Sequence, residues 1–124
     1  KLHKNEKLMI DGAHSIADAK NLANYLKTIK LPKYGIWAMT KNKEPDLFIK
    51  EFRNIFHKLV TMPIENENSS VSANELNKIA IKNKINSEVS NNFIDALKKI
   101  SNKEKKLIVC FGSLYNCGNI LNKN

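Results

Sequence analysis

Apolar residues fall in short uninterrupted runs that alternate with stretches where they recur every three or four positions. Leu8, Met9 and Ile10 form the first run, of the kind a strand buried on both faces shows, and Gly12 and Ala13 supply a tight turn after it. Ser15 then reads as a helix N-cap with Asp18 three residues on, and Ile16, Ala19, Leu22, Ala23, Leu26 and Ile29 lie on one helical stripe. Pro32 breaks that pattern, and residues 34–39 predict a second strand. Pro45 opens a helix running to about His57, with Phe48, Phe52, Ile55 and Leu59 on one face and His57 as a surface cap at its end.

The same alternation continues to the end of the chain. Residues 59–64 predict a third strand, with Pro63 at its end or at an edge. Ser72 and Glu75 make a full capping box, Val71 and Leu76 a hydrophobic staple, and Ile79 and Ala80 continue the buried face. Residues 85–89 are a weak strand, and Ser90 caps a helix carrying Phe93, Ile94, Leu97 and Ile100. Residues 103–106 read as a solvated charged turn. The clearest buried strand follows at residues 107–111, ended by Gly112 and Ser113, and residues 114–121 predict a short last helix. Strand and helix repeated about five times predict an α/β fold: a parallel sheet covered on both faces by right-handed crossovers. Residues 1–6 are too short to classify.

A chain of 124 residues is one domain in size and buries roughly two-thirds of its unfolded surface without metal or disulfide staples. No apolar run approaches the ~20 residues of a membrane span and no signal-peptide core is present, so a cytoplasmic protein with no membrane partner is expected. A start at Lys1, with a strand arriving within a few residues, suggests a piece of a longer polypeptide. Cys110 and Cys117 lack metal-site spacing and read as free thiols. The net charge of +9 comes from lysines spread through every segment, with Arg53 the only arginine. Nucleic-acid sites cluster arginine with stacking aromatics, so no nucleic-acid partner is expected.

Strands of a parallel sheet point the same way, so the turns after the first, second and fifth open on one rim. Asp11 and His14, Lys43, and Ser113 belong to those turns. A carboxylate, an imidazole, an ammonium and a hydroxyl beside a helix N-terminus suit a nucleotide and a charged small substrate. Each also has a structural reading: Asp11 as a turn cap, His14 as a surface residue, Lys43 as one loop lysine among many, and Ser113 as a helix cap after Gly112. There is no GxSxG elbow, no P-loop and no GxGxxG, so if a nucleotide is handled here its phosphates must be cradled by another part of the protein.

Asp11-Gly12-Ala13-His14 resembles the Asp-Gly-Ala-His-Asn-Pro motif of folylpolyglutamate synthases, and residues 111–115, Phe-Gly-Ser-Leu-Tyr, resemble their C-terminal Phe-Gly-Ser-Leu/Phe-Tyr motif. Between them, Ala38-Met39 and Asn42-Lys43-Glu44 are similar to the family's Gly-Met and Asp-Lys-Asp segment. The three motifs occur in order over essentially the whole chain. Other Mur-type ligases carry different residues around the corresponding histidine, which favours the folate branch. Ser15-Ile16 replaces the family's Asn-Pro: the cap is preserved, the amide and the rigid proline are lost.

The resemblance implies a Rossmann-like, mostly parallel sheet of about five to six strands, the C-terminal domain type of Mur ligases. It implies an ATP-dependent ligase, folylpolyglutamate synthase and/or dihydrofolate synthase, that adds L-glutamate to folate or dihydropteroate through an acyl phosphate. By position Asp11 and Lys43 would be on the cofactor side, Asp11 contacting ATP, while His14 and Ser113 would serve the reacting groups, with Ser113 orienting the glutamate. ATP phosphates and Mg2+ would be held mainly by an N-terminal P-loop ATPase domain, this chain's own partner domain. The isolated piece would then be inactive and the protein a monomer. The competing expectation is a non-catalytic Rossmann-like binding module, a decayed or repurposed relative that keeps the fold.

Overall fold

The computed structural model describes residues 6–13, 15–102 and 104–112. Within them lie five strands, β1 (Glu6–Asp11), β2 (Lys33–Ala38), β3 (Lys58–Thr61), β4 (Ser87–Val89) and β5 (Lys106–Gly112), and four α-helices, α1 (Ile16–Lys27), α2 (Pro45–Lys50), α3 (Ala73–Lys82) and α4 (Phe93–Ile100). All strand pairings are parallel and the order is β1-β5-β2-β3-β4. The expected last helix at 114–121 and Cys117 lie outside the described residues.

Topology dictates which face each helix covers. From β1 to β4 the chain moves one way across the sheet, so right-handed crossovers put α1, α2 and α3 on one face; from β4 it returns to β5, which puts α4 on the other. The two cores follow this division. Ala19, Leu22, Leu26, Phe48, Phe52 and Leu76 pack with Trp37, Val109 and Phe111 on the first face. Phe93, Ala96, Leu97 and Ile100 pack with Ile36, Val60, Ile108 and Cys110 on the second. Flanked on both sides, β5 is buried along its whole length, which accounts for the unbroken apolar run at 107–111.

Phe111 stacks with Phe48 and Phe56 at centroid distances of 6.0 and 5.3 Å and meets Phe52 tilted by 45° at 4.8 Å. Gly35 makes room for this cluster, because a Cβ there would lie 2.8 Å from Leu59 Cδ1 and 3.1 Å from both Phe111 and Phe56.

Several local expectations give way. The helix after Pro45 ends at Lys50 rather than near His57, and turns carry the chain through residues 51–55. Phe52 and Ile55 are buried all the same, so apolar spacing did not require a helix there. His57 is not a helix cap: its Nδ1 accepts the Lys33 N–H at 3.4 Å and its ring stacks on Tyr34 at 5.8 Å. The third strand begins at Lys58 and stops at Thr61, and the fourth is confined to 87–89. Asn92, not Ser90, caps α4, accepting the Asp95 N–H at 2.8 Å; the Ser90 hydroxyl instead donates to the Thr61 carbonyl. Lys106 is not part of a solvated turn but is 1% exposed at the start of β5. The Ser15 and Ser72 caps form as expected, each hydroxyl accepting a backbone N–H three residues on at 3.1 Å.

Candidate functional site

Parallel strands bring the ends of β1, β5 and β2 to one carboxyl rim, where Asp11 is level with Phe111, and Ala38 with Gly112. Two strand spacings separate β1 from β2, about 9–10 Å. Asp11 is half-buried, and its Oδ1 accepts the Ala13 N–H at 2.8 Å, an Asx turn that hands the chain to α1. The aspartate, rather than Gly12, makes the turn: a Cβ at Gly12 would meet nothing within 4 Å. Ala13 is buried in the core beneath, fixing the turn from below. With Oδ1 engaged, Oδ2 has no partner among the described residues. Like-charge repulsion disfavours phosphate at this carboxylate, whereas a sugar hydroxyl or an amine can donate to it.

An open groove of about 400 Å³ runs from Asp11 along the outer side of α1, lined also by Met9, Ala13, Asp18, Asn21 and Tyr25. Tyr25 is 54% exposed, an aromatic face beside the carboxylates. The N-terminus of α1, capped by Ser15, opens on the same rim.

On β2 the rim continues into a single 3-10 turn at Lys41–Lys43. The turn is held from both sides. Lys43 N–H donates to the Thr40 carbonyl at 3.3 Å, the Thr40 hydroxyl to Asn42 Oδ1 at 2.8 Å, and Lys41 N–H to the Ser69 carbonyl at 2.8 Å. An antiparallel bridge between Thr40 and Ser70 and the bond from Val71 N–H to the Met39 carbonyl, 2.9 Å, tie this turn to the loop after β3. Lys43 is half-buried and makes no ion pair with a described residue. Glu44, which follows, sits in the left-handed region at φ 52° just before Pro45.

Gly112 is a rim residue whose necessity the sequence did not announce. It adopts φ +104°, and a Cβ there would lie 2.0 Å from the Ala38 carbonyl oxygen, so only glycine closes the β2–β5 pairing at this level. His14 and Ser113 lie outside the described residues. The structure thus brings Asp11 and Lys43 to one rim and leaves the other two candidates undescribed. Among the described residues, no group of three or more His, Cys, Asp or Glu side chains could hold a metal ion.

The family described as dihydrofolate synthetase, C-terminal domain, matches residues 1–123. The chain belongs to this family. This chain shares its fold with part of several solved structures. Escherichia coli FolC, solved with DHPP and ADP, is 13% identical with a TM-score of 0.80 over 94% of this chain and 28% of that one. The bifunctional folylpolyglutamate synthase/dihydrofolate synthase of Yersinia pestis, solved with AMPPNP and Mn ion, is 16% identical with a TM-score of 0.78 over 94% and 28%. The folylpolyglutamate synthase of Thermotoga maritima is 24% identical with a TM-score of 0.72 over 90% and 26%. This chain therefore spans little more than a quarter of each relative. No curated protein matches it.

Proposed function

We propose that this chain is the C-terminal half-site of an ATP-dependent amide ligase that adds L-glutamate to folate, to dihydropteroate, or to both. The observation that carries the reading is the family match over residues 1–123. In this reading ATP supplies the phosphoryl group that activates the acceptor carboxyl as an acyl phosphate, ADP leaving. The amino group of L-glutamate attacks the acyl carbon and loses its proton, and phosphate departs as the amide forms. The work left to the protein is positioning and charge neutralisation.

The rim suits that work. Asp11 offers a carboxylate oxygen to a nucleotide hydroxyl, and Lys43 brings a positive charge on a rigid turn to a rim where anionic substrates collect. His14, near ATP and the incoming glutamate, and Ser113, orienting that glutamate, follow from the motif resemblance. By the motif resemblance, the metal and the phosphates fall to an N-terminal P-loop domain acting as this chain's partner. Residues 1–124 alone would then be inactive. A cytoplasmic monomer fits this reading; among the described residues, no helix is long and apolar enough to cross a membrane.

The test is glutamate-dependent ADP release by the full-length polypeptide carrying this chain, with ATP, Mg2+ and either dihydropteroate or a reduced folate. Release that drops by roughly a hundredfold or more in folded Asp11→Ala and His14→Ala variants is the expected result. A folded wild-type protein that releases no ADP with either acceptor overturns the reading in favour of a repurposed binding module.

A further inference from the structure

Among the described residues, the most completely buried charges lie at the end of the sheet opposite the rim. Glu6 and Lys106 are register partners on the first rung of β1 and β5, with side chains 0% and 1% exposed and Oε2 3.5 Å from Nζ. The ammonium also donates to the Ile100 carbonyl at 3.3 Å and to Asn102 Oδ1, and lies 5.2 Å from the centroid of the Tyr34 ring. The carboxylate accepts the Ser101 hydroxyl at 3.0 Å and the Asn102 N–H at 3.1 Å.

We propose that this pair is the positioning device for the Asp11 turn, an inference that rests on Asp11 being a nucleotide contact. Glu6 and Asp11 are the two ends of one six-residue strand, so fixing one fixes the other about 17 Å away. β1 is an edge strand in the described sheet, paired only with β5. Its apolar residues Leu8, Met9 and Ile10 are only partly buried, so their burial discriminates weakly between registers. A slip of two residues would return every side chain to its own face, and alternation therefore does not forbid it. The charges do. One slip sets Glu6 beside Glu104; the other sets it beside Ile108, which is fully buried, and both strand Lys106 without its carboxylate. Either would move Asp11 by about 6.6 Å along the sheet axis.

The experiment uses the full-length polypeptide with Lys106→Met, Glu6→Gln and the double substitution Glu6→Met/Lys106→Met. Amide exchange across β1, β2 and β3 is measured beside KM for ATP and kcat. In single variants that fold, β1 amides should lose protection at least about tenfold beyond those of β2 and β3. KM for ATP should rise about fivefold or more with kcat little changed. The double variant, its charges replaced by apolar side chains, should recover thermal stability yet keep the loosened β1 and the raised KM; it carries the test if the single variants fail to fold. Wild-type β1 protection in the folded double variant, or a loss spread evenly over β1, β2 and β3 in the singles, overturns the proposal. Wild-type protein without ATP turnover refutes the ligase reading instead, while the exchange pattern still decides whether the pair holds β1.

Discussion

The two ends of the sheet treat charge in opposite ways. At the amino end, Glu6 and Lys106 are removed from water, and both the carboxylate and the ammonium are bonded to other protein groups. At the carboxyl end, Asp11 has one oxygen tied by its own turn, and Lys43 makes no ion pair with a described carboxylate. Both ends are built from the same residue types. What separates them, among the described residues, is how far the fold itself satisfies the charge.

That contrast can be broken at the amino end first. Lys106→Ala leaves the Glu6 carboxylate buried and is expected to cost about 3–5 kcal/mol, read as a lowered urea midpoint. At the rim the same class of change should be far milder: Asp11→Ala removes one side-chain bond to a backbone N–H, a loss of about 1 kcal/mol by the same measurement. If the two costs come out equal, the division of labour between the ends is wrong.

A third charge, in the first turn of α2, sharpens the comparison because it is exposed yet paired. Asp46 on α2 accepts from Asn83 Nδ2 at 2.8 Å, and this bond holds its carboxyl below the ordinary value; desolvation opposes the shift and the nearby Lys82 ammonium adds to it. A carboxyl depressed in the fold contributes stability above its unfolded pKa and loses it as pH falls through the folded one. The side chain is 51% exposed, so the contribution is about 0.5 kcal/mol or less. The urea midpoints of wild type and Asp46→Asn should differ slightly at pH 6 and converge as pH falls below the ordinary carboxylate range.

Much of this architecture was legible because it is local. The caps at Ser15 and Ser72, the stripe on α1 and the run at 107–111 each declare themselves within a few residues, and α/β alternation follows. The rim was legible for the same reason, since parallel strands put the turns bearing Asp11 and Lys43 on one edge. Long-range satisfaction was not. Lys106 sits in a lysine-rich stretch that looks solvated, and nothing nearby in sequence reveals a carboxylate 100 residues upstream. Gly112 looked like an ordinary strand terminator because its constraint is the carbonyl of Ala38 on another strand. Ser90 and Asn92 are both competent caps, and the competing bond from Ser90 to the Thr61 carbonyl decided between them.

The position of β5 between β1 and β2 also sets an order of assembly during synthesis. β2, β3 and β4 are neighbours in both chain and space, so that half of the sheet can form as soon as residues 33–89 have emerged. β1 is the first of the described strands to be made but has no described strand to pair with until residues 106–112 arrive. Of the described strands β1 therefore waits longest, and a ribosome pause or truncation before residue 106 would leave its backbone exposed to pairing with other chains.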